Sequence, residues 1–570
     1  MTAQLALAAA AATLFASSAS AQVLYADANL TTGANDGSSW DNAFQGSSSL
    51  QDALAIVAPG EDVYVADGLY VTSTTGNRGI SFRVRNDVGI YGGFAGGEAS
   101  PDARPAFGVA ESILSADQMG DDASGGSNAE NSYHVIRTSL ANSSAILDGF
   151  TCTGGLSNVG SNNNDRGAGI LCVNGVSPTI RNCVFRDNTC TFGGGAGYVN
   201  GSAPSFINCS FIDNQGGAFG GAFDLNGGNN TVFDGCYFEG NSGSRAGALE
   251  IFSTNNCTVA NSVFVGNTAT GGSGGGAFWV GTGGSTSIIN CTIVGNFATS
   301  QAQAGIREQG ATVTATNCIL WGNQGPGGAQ GPNNQVNAAA TVNYSIVEGG
   351  FTGGGTGNLD ADPNFVDQAG GDFRLVLPSP AVDAGNGTIA AGFPADFDGA
   401  RRVFDEAGTA NTGTGDPVDV GAFEFTANVG SVFCDPVNAN STGLRGRIDA
   451  EGSSSLAAND ITLVASQLPM SAFGFFIASR DRGFTPNPAG SAGNLCLSGA
   501  IGRYVGPGQI QSTGMTTSFS LAIDNGAIPQ PTGLVAATAG ESWSFQAWHR
   551  DQVLGIPTSN FTDGVRITFE

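Results

Sequence analysis

The chain has 570 residues, a formal net charge of −27, only 12% charged side chains, 89 glycines and 35 phenylalanines, and this length calls for more than one folding unit. Every basic residue is arginine, and His134 and His549 are the only histidines. Schiff-base lysines, phosphate-loop lysines and clustered-histidine metal sites are therefore excluded, and so acidic a surface argues against nucleic acid as a partner.

A hydrophobic share of 41% is too apolar for a solvated, disordered chain. Abundant glycine with few helix signals points to a β-rich fold, because turns need positive φ and stacked backbones need close approach. Met1–Gln22 carries no charged side chain, runs through an Ala/Leu stretch and ends Ala19-Ser20-Ala21. It reads as a signal peptide, residues 1–21, which predicts a secreted or cell-surface protein. No later stretch approaches eighteen uninterrupted apolar residues, so the mature chain is not expected to be an integral helical membrane protein.

Leu50–Val57 predicts a short amphipathic helix and Asp62–Ala66 the first strand. A repeat then sets in: NCVFRDN from Asn182, NCSFIDN from Asn208, GCYFEGN from Gly235, NSVFVGN from Asn261, NCTIVGN from Asn290 and NCILWGN from Asn317. The closing asparagines, Asn188, Asn214, Asn241, Asn267, Asn296 and Asn323, recur every 26 to 29 residues. A unit this short cannot bury a face alone and must stack on copies of itself. Within a unit, Cys183 and Phe185 alternate with Val184 and Arg186, as in a strand with one buried face. A second strand follows a glycine corner in each unit, as in GAGIL (Gly167–Leu171) and GGAFD (Gly220–Asp224).

Two strands, a glycine corner and an asparagine turn in some 26 residues describe one coil of a solenoid. These motifs resemble the right-handed parallel β-helix family, the pectin-lyase-like fold. The resemblance implies that the six asparagines form an internal ladder in which each amide bonds the turn of the next coil. Leu24–Phe44, Leu50–Val71 and Gly89–Glu98 look like the N-terminal entry of bacterial secreted β-helix proteins. Asn358–Asp367, Asp372–Asn386, Asp396–Arg402 and Asp416–Phe425 resemble the choice-of-anchor Q module. From Val429 the repeat disappears, and alternating segments such as Ser518–Asp524, Ser542–Trp548 and Val565–Phe569 predict a β-sandwich. The expected architecture is all-β. After the signal peptide come a parallel β-helix with its N-terminal cap over 22–350, an anchor-like end of the helix over 351–428 and an accessory sandwich over 429–570.

Cys434 and Cys496 form the expected disulfide of an exported chain, whereas the nine helix cysteines read as small hydrophobes in an internal stack. Aligning the second strand across coils gives an external column of Leu171, Tyr198, Asp224, Glu250, Trp279 and Arg307, a stripe of roughly 25 Å. Tyr198, Asp224, Glu250, Trp279 and Arg307 are the candidate glycan-binding residues. Asp224 and Glu250 face one side on neighbouring coils, near the ~5 Å separation of retaining glycosidases, as any two aligned acids on a solenoid do.

No cofactor is required by any motif. The aligned Asp187 and Asp213, or the clusters Asp360/Asp362/Asp367 and Asp396/Asp398, offer oxygen ligands suited to Ca2+, with Asx-turn chemistry the favoured reading. Polygalacturonase-type hydrolases pair aspartates with Gly-His-Gly and Arg-x-Lys, neither of which occurs, and Gly120-Asp121-Asp122 stands alone as a partial match. Lyases need a base beside the uronate carboxylate; Arg186, Arg245 and Arg307 are available, but none lies in a lyase motif. The balance is against catalysis. The leading expectation is a non-catalytic β-helix presenting a rigid face to an extracellular polysaccharide or cell-envelope component. The alternative is a calcium-assisted polysaccharide lyase or glycosidase using the Asp224/Glu250 stripe.

Overall fold

The computed structural model describes residues 23–570 except 106–107, 139–141, 273, 391, 401, 407–408, 426–428, 435–436, 515–516 and 554–555. The expected signal peptide lies outside the described residues. Three parallel sheets of twelve, ten and eight strands wind around one core. Each coil supplies one strand to each sheet: Thr179–Arg181 to the first, Val184–Arg186 to the second and Gly197–Asn200 to the third, followed by Ser205–Ile207, Ser210–Ile212 and Phe223–Asn226 in the next coil. The helix forms over Ser49–Ile56 and buries Leu50, Ala53 and Leu54 in the main core. Asp62–Ala66 is a strand but not the first; Val23–Asp27 precedes it and pairs with it in parallel.

The repeat motif has a backbone cause. Its first residue, Asn182, Asn208, Gly235, Asn261, Asn290 or Asn317, sits at φ between 45° and 64° and turns the chain from the first sheet into the second. The residue before the closing asparagine, Asp187, Asp213, Gly240, Gly266, Gly295 or Gly322, turns it out of the second sheet at φ between 53° and 65°. Asn, Asp and Gly are the residues that tolerate this left-handed conformation, and these positions carry no others.

The closing asparagines are buried and linked in series. The Nδ2 of Asn188 donates to Asn214 Oδ1 at 3.1 Å, Asn214 to Asn241 at 3.0 Å, and Asn241 to Asn267, Asn267 to Asn296 and Asn296 to Asn323 at 2.9 Å each. Each acceptor oxygen also takes the backbone N–H of the preceding asparagine, so donors and acceptors balance along the row. Gln335 ends the row, accepting from Asn323 at 2.6 Å and donating to Glu348. Beside it Phe185, Phe211, Phe238 and Phe264 stack with ring centroids 5.5, 4.8 and 4.4 Å apart. The nine helix cysteines are free and buried. Those that follow the first turn donate Sγ–H to a carbonyl of the preceding coil, as Cys236 does to Phe206, and burial pushes the Cys236 thiol up to about 12.

Beyond the last coil the chain doubles back along the outer face of the second sheet. Phe373, Ala422 and Phe423 pack on Val263 and Val294, whose strand neighbours Phe264 and Ile293 point into the core. Fully buried Arg402 donates to the carbonyls of Gly421 and Ala422, to Glu424 and to Asn261 Oδ1. The segment expected to end the helix thus lies alongside it, because the second sheet's outward positions carry Val263, Val294, Ile319 and Trp321 and need cover.

The C-terminal region is antiparallel. Arg447–Glu451, Thr462–Ser466 and Phe519–Ala522 form one sheet, and a six-stranded sheet is built around the long hairpin Ser542–Val553 and Ile556–Thr568. Ile448 and Leu463 of the first sheet share a core with Phe476, Trp543, Phe545 and Ile567 of the second, which makes a sandwich. Cys434 and Cys496 are joined by a disulfide, with Cα atoms 6.0 Å apart. Among the described residues no helix is long and apolar enough to cross a membrane.

Candidate functional site

The third sheet carries one column in strict register: Leu171 pairs with Tyr198, Tyr198 with Asp224, Asp224 with Glu250, Glu250 with Trp279 and Trp279 with Arg307. Arg137 and Arg83 extend it towards the N-terminus. The side chains point away from the core, because their strand neighbours Phe223, Leu225, Leu249, Ile251, Phe278 and Val280 fill it.

The column is not an open stripe, and here the sequence expectation needs correction. Tyr198, Asp224, Glu250 and Trp279 are only 3%, 3%, 2% and 6% exposed. The cover comes from residues just before the glycine corners, Arg166, Phe192, Phe219 and Arg245. The Arg166 guanidinium lies 4.2 Å from the Phe192 ring centre, 5.0 Å from Tyr198 and 5.5 Å from Phe219. Arg245 lies 4.5 Å from Phe219 and 4.7 Å from Trp279. Two cations thus alternate with aromatic faces above the column. Gly220 makes this possible: a Cβ there would sit 1.9 Å from the Phe223 carbonyl, so only glycine lets the chain fold over after Phe219.

The same arginines hold the acids. Arg166 Nη1 donates to Asp224 Oδ2 at 3.2 Å and Arg245 Nη1 to Glu250 Oε1 at 2.5 Å. Burial raises the pKa of both carboxyls above the usual carboxylate range, and the charge of Asp224 adds to the effect on Glu250; the arginines oppose it without cancelling it. Three buried polar atoms in the column have no partner among the described residues: Glu250 Oε2, Trp279 Nε1 and one terminal nitrogen of Arg307, Nη1. A recess of about 460 Å³ opens here, bordered by Arg166, Phe219, Asp224, Arg245, Glu250 and Trp279, with Phe252, Asn226 and Gln309 at its edge.

Sequence reasoning put the candidate residues in the right row but missed their cover. Arg166, Phe219 and Arg245 each stand one residue before a corner and Phe192 two before, which was the available signal. Arg186 lies on the second sheet, not the third, and pairs with Asp187 at the surface. His134, buried at the entry to the third sheet, has Nδ1 at 2.9 Å from the Gly167 carbonyl, and burial pushes its pKa down to about 4. His549 is buried within the C-terminal sandwich.

The acidic clusters named for Ca2+ are engaged in turns. Asp360, Asp362 and Asp367 accept the backbone N–H groups of Gly349, Asn364 and Gly370, each at 2.9 Å. Buried Asp396 accepts those of Ala400 and Glu424. Asp187 and Asp213 occupy left-handed turn positions.

Residues 139–293 match the family model described as right handed beta helix region. Among solved structures, a pectate lyase, Pel9A, is similar at 16% identity and a TM-score of 0.40, covering 71% of this chain and 97% of that one. No curated protein matches the chain. Over its repeated coils the protein is a right-handed β-helix of three parallel sheets.

Proposed function

We propose that this protein is an exported β-helix that holds an extracellular polysaccharide or cell-envelope glycan in the recess over its third sheet, without turning it over. The observation that carries the reading is the pair of buried groups bordering that recess which lack a partner among the described residues: the Trp279 indole N–H and a Glu250 carboxyl oxygen. A sugar hydroxyl donates and accepts at once, so a carbohydrate can satisfy both kinds of orphan, while Trp279 and Phe252 offer apolar surface to a pyranose face. The anchor-like segment and the C-terminal sandwich serve display or attachment at the cell surface. Ca2+ is not needed for this binding.

A second reading rests on a specific observation. Asp224 and Glu250 are adjacent, and burial holds both carboxyls towards the protonated form, which is the property of a general acid. The glycosidase reading therefore ranks above the lyase reading, because two of the three arginines available as its base are engaged, Arg186 with Asp187 and Arg245 with Glu250, and Arg307 does not border the recess. A glycan array followed by calorimetry on the best ligand separates the two. Binding that is lost in Trp279→Ala and Arg245→Ala, with no release of reducing ends or unsaturated product, supports the binding role. Product release abolished by Glu250→Gln would replace it with the glycosidase, and unchanged binding in both first variants would remove the recess from consideration.

A further inference from the structure

The connection between Ser112–Ser115 of the second sheet and Ile136–Thr138 of the third runs over residues 116–135, about twice the length of the equivalent connection 187–196. It gathers four carboxylates. Asp117, Asp121, Asp122 and Glu130 each offer an oxygen, and these four atoms lie within 4.8 Å of one another. Among the described residues, no arginine forms an ion pair with any of the four.

An independent feature points to a missing positive partner. Asn131 is 2% exposed, and its Nδ2 donates to Asp122 Oδ2 at 2.6 Å and to the Gly154 carbonyl at 2.9 Å. Two acceptors fix which end of the amide is nitrogen, so Oδ1 is an acceptor, yet it is buried with no donor among the described residues. Asp121 Oδ1 and Glu130 Oε1 are likewise buried without partners among them. Asp117 is aimed by the loop itself, accepting the N–H groups of Met119, Gly120 and Asp122.

We infer that this loop is a binding site for one Ca2+ ion, with Asp117, Asp121, Asp122 and Glu130 as carboxylate ligands and Asn131 Oδ1 as a neutral one. All are oxygen donors, the set a hard divalent cation takes. Ligand number and type favour calcium: Ca2+ takes about 6–8 oxygen ligands in flexible geometry, whereas Mg2+ is usually held by one or two carboxylates and keeps several waters. The site is distinct from the recess over the third sheet. His134, at the end of the same loop, contacts the Gly167 carbonyl and Asn164, so the ion fastens a loop that abuts the one carrying Arg166.

The test is calorimetry of the full chain, stripped with a chelator and titrated with CaCl2 or MgCl2, alongside Asp121→Asn/Glu130→Gln and a control, Asp360→Asn/Asp362→Asn. The wild type and the control bind Ca2+ with a common stoichiometry, the first variant binds one equivalent fewer, and Mg2+ binds at least tenfold more weakly. No Ca2+ uptake by the wild type, or equal stoichiometry in Asp121→Asn/Glu130→Gln, overturns the site; Mg2+ binding as tight as Ca2+ overturns the calcium assignment. Should the double variant fail to fold by circular dichroism, Glu130→Gln alone is measured. A tenfold weaker Ca2+ affinity supports the site and an unchanged affinity overturns it.

Discussion

Two rows run along the same coils and differ in kind. The asparagine row repeats one residue, from Asn188 to Asn323, and every amide finds its partner in the next coil. The column on the third sheet changes at each step, from Leu171 through Tyr198, Asp224, Glu250 and Trp279 to Arg307, and leaves buried polar atoms unpaired. A stacked unit that repeats its residue satisfies itself. A row that varies cannot, and depends on neighbouring loops, such as those carrying Arg166 and Arg245, for its partners.

Substitutions should separate the rows by energy. The largest loss belongs to the repeating interior: Phe211→Ala removes a ring stacked between Phe185 and Phe238 and should cost about 3–5 kcal/mol in denaturant unfolding. Asn241→Leu takes the acceptor from the Asn214 backbone N–H, one of three acceptors from Asn214 Nδ2 and the side-chain donor from the Phe211 carbonyl, for a loss of roughly 2–4 kcal/mol. A cost below about 1 kcal/mol would mean that the row is not a stabilising network.

Acid should act through His134. Its folded pKa is depressed from 6.5 to about 4, so its contribution to stability is fully present above pH 6.5 and is lost as pH falls towards 4, by up to about 3 kcal/mol. His134→Gln should flatten that part of the stability-against-pH curve, and an unchanged curve would assign the acid sensitivity elsewhere. The smallest effect belongs to the varying column. Glu250→Gln should change stability by less than about 1 kcal/mol at neutral pH. The sign is upward as pH rises: a carboxyl whose folded pKa exceeds its unfolded one favours the fold when protonated, and the wild type loses that advantage as pH climbs towards the raised value. A loss of several kcal/mol would place Glu250 among the structural residues.

Much of the fold was legible because the repeat encodes it twice. Asn and Gly at the first turn and Asp and Gly before the closing asparagine are read directly as left-handed positions, and the interval between them sets the strand register. Register then located the column. Its exposure was not legible, because cover depends on where Arg166, Phe192, Phe219 and Arg245 fold after leaving the repeat, and cation–aromatic contacts leave no periodic trace. The acidic loop was hidden for a similar reason. Its residues are spread from Asp117 to Glu130 in a connection about twice as long as its counterpart at 187–196, and only the folded loop brings them together. The doubling back of residues 365–425 was likewise invisible as geometry, although its hydrophobic partners on the second sheet were in plain view.

That returning segment also acts as a ruler. Solenoids can gain or lose coils with little local cost, since each unit meets only its neighbours. Here Arg402 reaches Asn261, the Ala422 N–H reaches the Thr292 hydroxyl and the Asn386 N–H reaches Asn317 Oδ1, one contact in each of three successive coils. Inserting or deleting a coil between Asn261 and Asn317 would put all three out of step at once. The number of coils between Asn261 and Asn317 is therefore fixed by a strip of chain on another face of the molecule.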